Sequence, residues 1–438
     1  MEGEEARTSD SDPLPPSPQV AVPPPGSRDR SQYAPVFVLA PARSNSSVVT
    51  AMLGQHPDLC VFPELALFRK ETVGDLLTDP PGWKGPPTRL RLAGVFRALA
   101  EHHDGGQTPE TVAAAERWIE TRRAWHVGDL LDHLLGLAAP RIGLEKSPEN
   151  SSSEEYHLRL VATYPRARYL HLARHPLPSV ISMHKAWSDK GYWKIEPDLF
   201  HHFCLGVWYH QHARIHRFMQ SLPPDRALAV RTEDVLNDPV ATLPTICRWL
   251  GIDSGPEVID AMTHPECSPY AAPGPIGALG GWDAGFMRDP VLRRAEIPAT
   301  LDLPPDWIVD PWLELAATQL AAQLGYGRRA APAPGDAPRR GLPVTSVGVT
   351  AERAESERRV LERAHADEHF RARLIARPRA TLAEELGITL PEGLEVVVIE
   401  ERPDRLAIVL PVDLSGIGYD AFWAMTGVRP RSQASTEE

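Results

Sequence analysis

Apolar runs of strand length alternate with amphipathic stretches along most of this chain. The run Pro35-Val-Phe-Val-Leu-Ala40 is unbroken, and a polar turn follows at Pro41-Ala-Arg-Ser-Asn-Ser-Ser47. Val48 to Leu53 then reads as a helix. A second run, Ala167 to Ala173, ends at Arg174-His-Pro176, and Pro178 to Trp187 reads as helical. A third, Ala227 to Arg231, leads through another polar turn into a helix from Pro239 to Leu250. Unbroken apolar strands interleaved with helices predict an α/β fold, its central parallel sheet covered on both faces. Ligands of such sheets bind at the carboxyl ends of the strands.

The periodicity stops at both ends. Residues 1–32 hold seven prolines among small polar and charged residues, too little apolar surface for a core, and predict a disordered tail. The periodic domain spans 33–327. A stretch rich in Pro, Ala and Arg at 328–350 reads as a linker. Residues 351–412 form a small α+β module, and 413–438 a flexible tail. The 45 prolines and 31 glycines are about one residue in six, against roughly one in eight in an average protein; such linkers and tails account for part of the excess.

Charge and cysteine content narrow the class. With 46 Lys and Arg against 58 Asp and Glu, the formal net charge is −12. A general nucleic-acid binder needs clustered cations, so that class is excluded as an expectation. No apolar run approaches the ~20 residues of a membrane span, and no signal peptide is visible at the N-terminus. Cys60, Cys204, Cys247 and Cys267 share no metal or redox spacing and read as plain thiols of a cytoplasmic protein.

The candidate chemistry lies where strands end. Arg43-Ser-Asn-Ser-Ser47 sits between a strand and a helix, whose first N–H groups lack internal partners and favour an anion. The turn is either a serine-capped connection or a phosphate or sulfate site. It is not the nucleotide-triphosphate loop, because GxxxxGK[ST] and the turn lysine are both missing. Arg174 ends the second strand, and Ser182 lies two helical turns further on. Guanidinium plus hydroxyl suits a second phosphate; a surface ion pair and an ordinary helix serine are the alternatives. Two such grips suit a nucleoside carrying two phosphates. His212 and His216 share a helix face, but no third ligand accompanies them, so no metal is expected. Trp187, Trp208, Phe203 and Phe218 read as core.

Residues 35–325 resemble the sulfotransferases that use 3′-phosphoadenosine 5′-phosphosulfate (PAPS), closest to the tyrosylprotein branch and to bacterial members in biosynthetic systems. Ala42-Arg-Ser-Asn-Ser-Ser-Val-Val49 matches the first motif, and Met52-Leu53 and His56-Pro57 follow as usual. Phe62-Pro-Glu-Leu65, Glu145-Lys-Ser-Pro148, Arg174-His-Pro176 with Ser182, and Val230-Arg-Thr-Glu-Asp-Val-Leu236 match later segments in order. The resemblance implies a P-loop-like sulfotransferase fold and in-line transfer of a sulfuryl group, without metal. It implies that Arg43, Ser44, Asn45, Ser46 and Ser47 hold the 5′-phosphosulfate and that Arg174 and Ser182 hold the 3′-phosphate. It further implies that Arg43 and Lys146 stabilise developing charge and that Glu64 is the general base. Two positions depart from the pattern. Asn45 stands for glycine, which requires a left-handed backbone that Asn tolerates. Thr232 stands for the usual Tyr, which puts a nucleotide contact there in doubt. The glycine-rich Pro275-to-Phe286 stretch is similar to a late loop of bacterial members, but without a basic residue.

Residues 355–386 predict a long amphipathic helix broken at Pro378, then a short helix ending at Gly387, with a hairpin from Glu395-Val-Val-Val-Ile399 and Leu406-Ala-Ile-Val-Leu410. Leu361 to Pro411 resembles the leader peptides related to the nitrile hydratase α subunit, through Phe370-Arg-Ala-Arg-Leu374, Pro378 to Ile388, Leu390-Pro391 and Gly393-Leu-Glu-Val396. Such leaders recruit modifying enzymes. Nitrile hydratase activity is not implied, since no cysteine lies beyond Cys267. The expected function is therefore sulfuryl transfer to a hydroxyl acceptor on a small molecule, a peptide or a carrier, with the leader-like module as a recruitment site for partner proteins. The alternatives are a non-catalytic leader-bearing scaffold or precursor fusion, and a small-molecule kinase.

Overall fold

The computed structural model describes residues 30–78, 88–188, 195–307, 311–327 and, toward the C-terminus, 360, 363–364, 366 and 367–386. The expected linker 328–350, the hairpin at 395–410 and the tail 413–438 lie outside these residues. So does the N-terminal tail up to residue 29. The described chain starts at Arg30, whose guanidinium pairs with the buried carboxylates of Asp129 (2.5 Å) and Asp132 (2.7 Å).

Five parallel strands form one sheet in the order β2-β3-β1-β4-β5, with β1 Val36–Leu39, β2 Leu59–Val61, β3 Ile142–Lys146, β4 Arg168–Ala173 and β5 Ala227–Arg231. The parallel sheet is as expected, but the apolar pattern exposed only three of its strands. β2 is three residues long, and β3 ends in two buried charges, Glu145 and Lys146. The first is too short to stand out as a strand, and the second does not read as an apolar run.

β1 is central because both its faces are apolar. Phe37 and Leu39 pack into one layer with the helices Ala93–Asp104 and Val127–Ala138. Val36 and Val38 pack into the opposite layer with Val49, Met52 and Leu53 of the helix Ser46–Leu53. A third apolar cluster joins the helices Pro176–Trp187, Phe200–Gln220 and Pro311–Gln323 around Trp208 and Phe203. Trp208 and Phe203 are buried and Trp187 packs on them, while Phe218 packs against the first layer. Two of the four aromatic residues lie in the core and two pack against it, in line with the core reading.

The chain leaves β1 toward β2 on one side and crosses from β3 to β4 on the other. That reversal opens a crevice at the carboxyl end of β1, where ligands of such sheets sit. Lys146 closes β3, Arg43 to Ser47 follow β1, and Arg174 follows β4, so the topology gathers the distant motifs at one sheet edge.

Near the C-terminus the helix Glu368–Ala376 starts at Asp367, whose carboxylate accepts from Phe370 N at 3.0 Å. The long helix expected from 355 is thus interrupted at Asp367, because an N-cap aspartate favours a new start there. The helix Pro378–Leu386 follows, and Val360, Phe370 and Leu374 form an apolar cluster flanked by Leu382. Among the described residues no helix is long and apolar enough to cross a membrane.

Candidate active site

The turn after β1 is backbone-driven. Arg43 (φ 66°) and Asn45 (φ 56°) both take the left-handed conformation, which costs a non-glycine residue about 1 kcal/mol or more. Asn45 occupies the helix N-cap, yet its side chain makes no cap bond. Instead its amide donates to Thr232 Oγ1 at 3.5 Å. No serine caps the helix either: Ser46 and Ser47 lie in its first turn. The turn therefore keeps its first N–H groups for something other than a side-chain cap. Ser44 is fully buried, and its Oγ has no hydrogen-bond partner among the described residues. Buried hydroxyls are nearly always paired, so an orphan beside free N–H groups and a guanidinium fits an anion.

The second grip adjoins the first. Arg174 donates from Nη1 to the Arg43 carbonyl at 2.6 Å, bracing the turn from below. Its own carbonyl accepts from Trp208 Nε1 at 2.9 Å. Burial pulls the Arg174 pKa down, and the carboxylate of Glu233 pushes it up. Ser182 Oγ accepts from Arg43 Nε at 3.0 Å, which ties its helix to the turn arginine. The structure thus brings Arg43, Ser182 and Arg174 into one contact group across the ends of β1 and β4.

Glu233 and Thr232 support this group, and the residue types alone did not single out Glu233. The Glu233 carboxylate is buried and accepts from His175 N (2.7 Å) and from Tyr326 Oη (2.7 Å). His175 in turn starts the helix that carries Ser182, its ring accepting from Leu177 N at 3.2 Å. Thr232 is fully buried and bonds both Asn45 and Glu233 (3.4 Å). A residue placed there holds the turn through Asn45.

Lys146 forms the third part. Its side chain is 1% exposed, donates to Ser47 Oγ at 3.3 Å and pairs with the Glu64 carboxylate. Glu64 itself is a quarter exposed, so one face reaches solvent. Its backbone is wedged between two glycines. Glu64 N donates to Gly281 O at 2.6 Å, and a Cβ on Gly94 would stand 2.0 Å from Glu64 O. Only glycine permits that approach. Leu65 N and Ala66 N donate to Glu145 (3.4 Å) and Ser147 Oγ (2.8 Å), which sews the loop to the end of β3.

Glu145 holds that loop at an electrostatic cost. It is fully buried, also accepts from Asn150 Nδ2 at 2.7 Å and from Ser147 Oγ, and burial raises its pKa to about 7. A carboxyl raised from 4.5 in the folded state destabilises the fold once it ionises. Its contribution is harmless below pH 4.5, worsens as pH rises to 7, and stays unfavourable above. The full effect is about 3 kcal/mol. Glu145→Gln is therefore expected to gain melting temperature over the natural protein between pH 5 and 8. An unchanged difference between the two across that range would refute this assignment.

The glycine-rich stretch completes the wall. Arg97 is buried and donates to Gly280 O (2.9 Å) and Ala272 O (2.8 Å), while Gln107 accepts from its Nε at 2.6 Å. This fixes the loop so that Asp283 pairs with Arg43 and donates its N–H to Ser47 Oγ at 3.3 Å. Asp283 was not among the residues that the motifs pointed to, although Gly280-Gly-Trp-Asp283 marks a tight turn ending in a charge.

His212 and His216 are buried with His171 in the core, where burial keeps the first and last neutral; His171 Nε2 and His212 Nδ1 are 2.8 Å apart. No group of three or more His, Cys, Asp or Glu among the described residues is placed to hold a metal ion. Cys60, Cys204 and Cys247 are buried thiols, and Cys267 is exposed.

Known proteins resemble this chain in fold and family. Residues 35–256 match the family model described as the sulfotransferase family. No curated protein matches the chain. Among solved structures, the sulfotransferase domain from the curacin biosynthetic pathway is 21% identical with a TM-score of 0.54, covering 68% of this chain and 99% of that one. The sulfotransferase domain from the Synechococcus PCC 7002 olefin synthase is 24% identical with a TM-score of 0.51, over 68% and 97% of the two chains. These likenesses concern the fold. The family match spans half of the sequence and every strand of the sheet, and on that ground this chain belongs to the sulfotransferase family.

Proposed function

We propose that this chain moves a sulfuryl group from PAPS to a hydroxyl-bearing acceptor. One observation carries the reading: the Arg174 guanidinium touches the Arg43–Ser47 turn, and Lys146 reaches Ser47 from the other side. Two anion grips and a buried ammonium thus meet at one sheet edge. That suits a nucleoside bearing charged groups at its 3′ and 5′ positions.

PAPS supplies the reactive phosphosulfate. Ser44, Asn45, Ser46 and Ser47, with the helix N–H groups and Arg43, hold the 5′ end. Arg174 and Ser182 hold the 3′-phosphate. Lys146, almost wholly buried, and Arg43 meet negative charge that builds at the reacting oxygens. Glu64 takes the proton of the acceptor hydroxyl, its exposed face open to that substrate. The ion pair with Lys146 aims the carboxylate.

One solved neighbour is named for a biosynthetic pathway and the other for an olefin synthase, which supports an acceptor in natural-product assembly, on a peptide or a carrier. The leader-like helices after Asp367 support a recruiting role for the C-terminal module, which would act by raising the local concentration of a partner protein. We place the sulfotransferase domain at 33–327 and this module at 351–412.

Calorimetry with 3′-phosphoadenosine 5′-phosphate (PAP) and with ATP tests the donor. Binding of PAP and not ATP is expected; ATP binding alone would favour a kinase. Glu64→Gln is expected to keep PAP affinity within about threefold while transfer falls by about two to four orders of magnitude. A variant that keeps its full rate removes Glu64 as the base.

A further inference from the structure

Arg43, at the centre of the anion site, is already engaged on two sides. Ser182 Oγ accepts from its Nε at 3.0 Å, and the Asp283 carboxylate pairs with its Nη1. Asp283 is not a loose surface acid. Its N–H donates to Ser47 Oγ at 3.3 Å, the hydroxyl that also accepts from Lys146. Its Oδ1 accepts from Phe286 N at 2.9 Å and caps the helix Ala284–Arg288, which leaves Oδ2 for Arg43. Upstream, Gly280 is anchored by buried Arg97, and Gly281 accepts from Glu64 N while holding φ 102°. The carboxylate is thus fixed from both ends of its segment and cannot swing away without losing the cap or the Ser47 bond.

We propose that Asp283 is a donor-site residue that sets affinity: its carboxylate competes with the nucleotide's anionic 5′ end for Arg43 and speeds departure of the spent nucleotide. The proposal rests on the reading of the site as a PAPS site and adds a residue to it. The charge pattern supports it. Arg43 pairs with Asp283 and also lies in the field of Glu64, Lys146 pairs with Glu64, and Arg174 lies in the field of Glu233, so every cation of the site stands beside a carboxylate. Glu64 has a chemical task, and Glu233 is buried away from solvent as a brace. Asp283 alone stands on a loop at the wall with neither role. An anion at Arg43 either shares the guanidinium with this carboxylate or displaces it, and both weaken its hold. For a nucleotide product that must leave every cycle, a resident carboxylate that reclaims the arginine shortens residence, since affinity within one site is set mostly by the off-rate.

Asp283→Asn separates the charge from the fold, because Asn caps helices as well as Asp does. PAP binding is measured by calorimetry, and its release by stopped-flow displacement, on the full-length protein. The variant is expected to bind PAP about tenfold more tightly, about 1.4 kcal/mol, mainly through slower release. Asp283→Ser, which also caps, is expected to do the same, and melting curves report that both variants remain folded. Equal or weaker PAP affinity in two folded variants overturns the proposal and leaves the donor reading intact. Absence of PAP binding in the natural protein and in both variants overturns the donor reading and the proposal together.

Discussion

Replacing Lys146 by methionine is expected to lower the rate of transfer by about two to three orders of magnitude, the usual cost of losing one preorganised group that meets developing charge. PAP affinity should change far less, by under about tenfold, because Arg43, Arg174 and the helix N–H groups still hold the ends of the nucleotide. The geometry explains the asymmetry. Lys146 is almost wholly buried at the end of β3 and touches the site at Ser47 and at Glu64. Its ammonium thus stands between Ser47 of the turn and Glu64, the proposed base. Methionine fills the same volume, so the core loses little packing. Glu64 loses its partner but retains access to solvent, so the fold should tolerate the change. Steady-state kinetics and calorimetry on the same variant decide the matter. An intact rate with lost affinity would make Lys146 a plain binding residue.

Replacing Arg174 by alanine has the opposite signature. PAP affinity should fall by about two to three orders of magnitude, as for loss of a charge-assisted bidentate grip on phosphate. Affinity for adenosine 5′-monophosphate, which lacks the 3′-phosphate, should fall by only a few-fold. That smaller loss reflects the second task of Arg174, its 2.6 Å bond to the Arg43 carbonyl, which braces the turn. Glu233 then remains buried with weaker compensation, held by His175 N and Tyr326 Oη. Arg174→Lys keeps the charge and should recover part of the stability, but not the planar fork that fits phosphate. Equal losses for the two nucleotides would show that Arg174 acts through the turn alone.

The sheet was legible where strands are apolar on both faces, as in Val36 to Leu39 and Leu170 to Ala173, because burial on both sides leaves no room for alternation. It was illegible where a strand carries buried charge. Glu145 and Lys146 end β3, and in isolation their residue types argue against a buried strand. Arg43, Arg174 and Ser182 stood out as candidates because an anion site needs cations and hydroxyls at strand ends, whereas Lys146 stood out only through the family resemblance. Their supports were not. Glu233, Tyr326, Arg97 and Gly94 act through contacts between segments far apart in the chain, and nothing local to a buried arginine or a helix glycine tells which loop it will fix.

The sequence by itself determined the parallel α/β plan, the polar turn after β1 and the residue types that can hold an anion, because periodicity, turn chemistry and charge are local properties. Tertiary structure decided what stands beside what. It set Arg174 against the Arg43 carbonyl, joined Lys146 to Glu64, and turned Asp283 toward Arg43. Those neighbours follow from strand order and from close glycine approaches, which only the folded chain brings about.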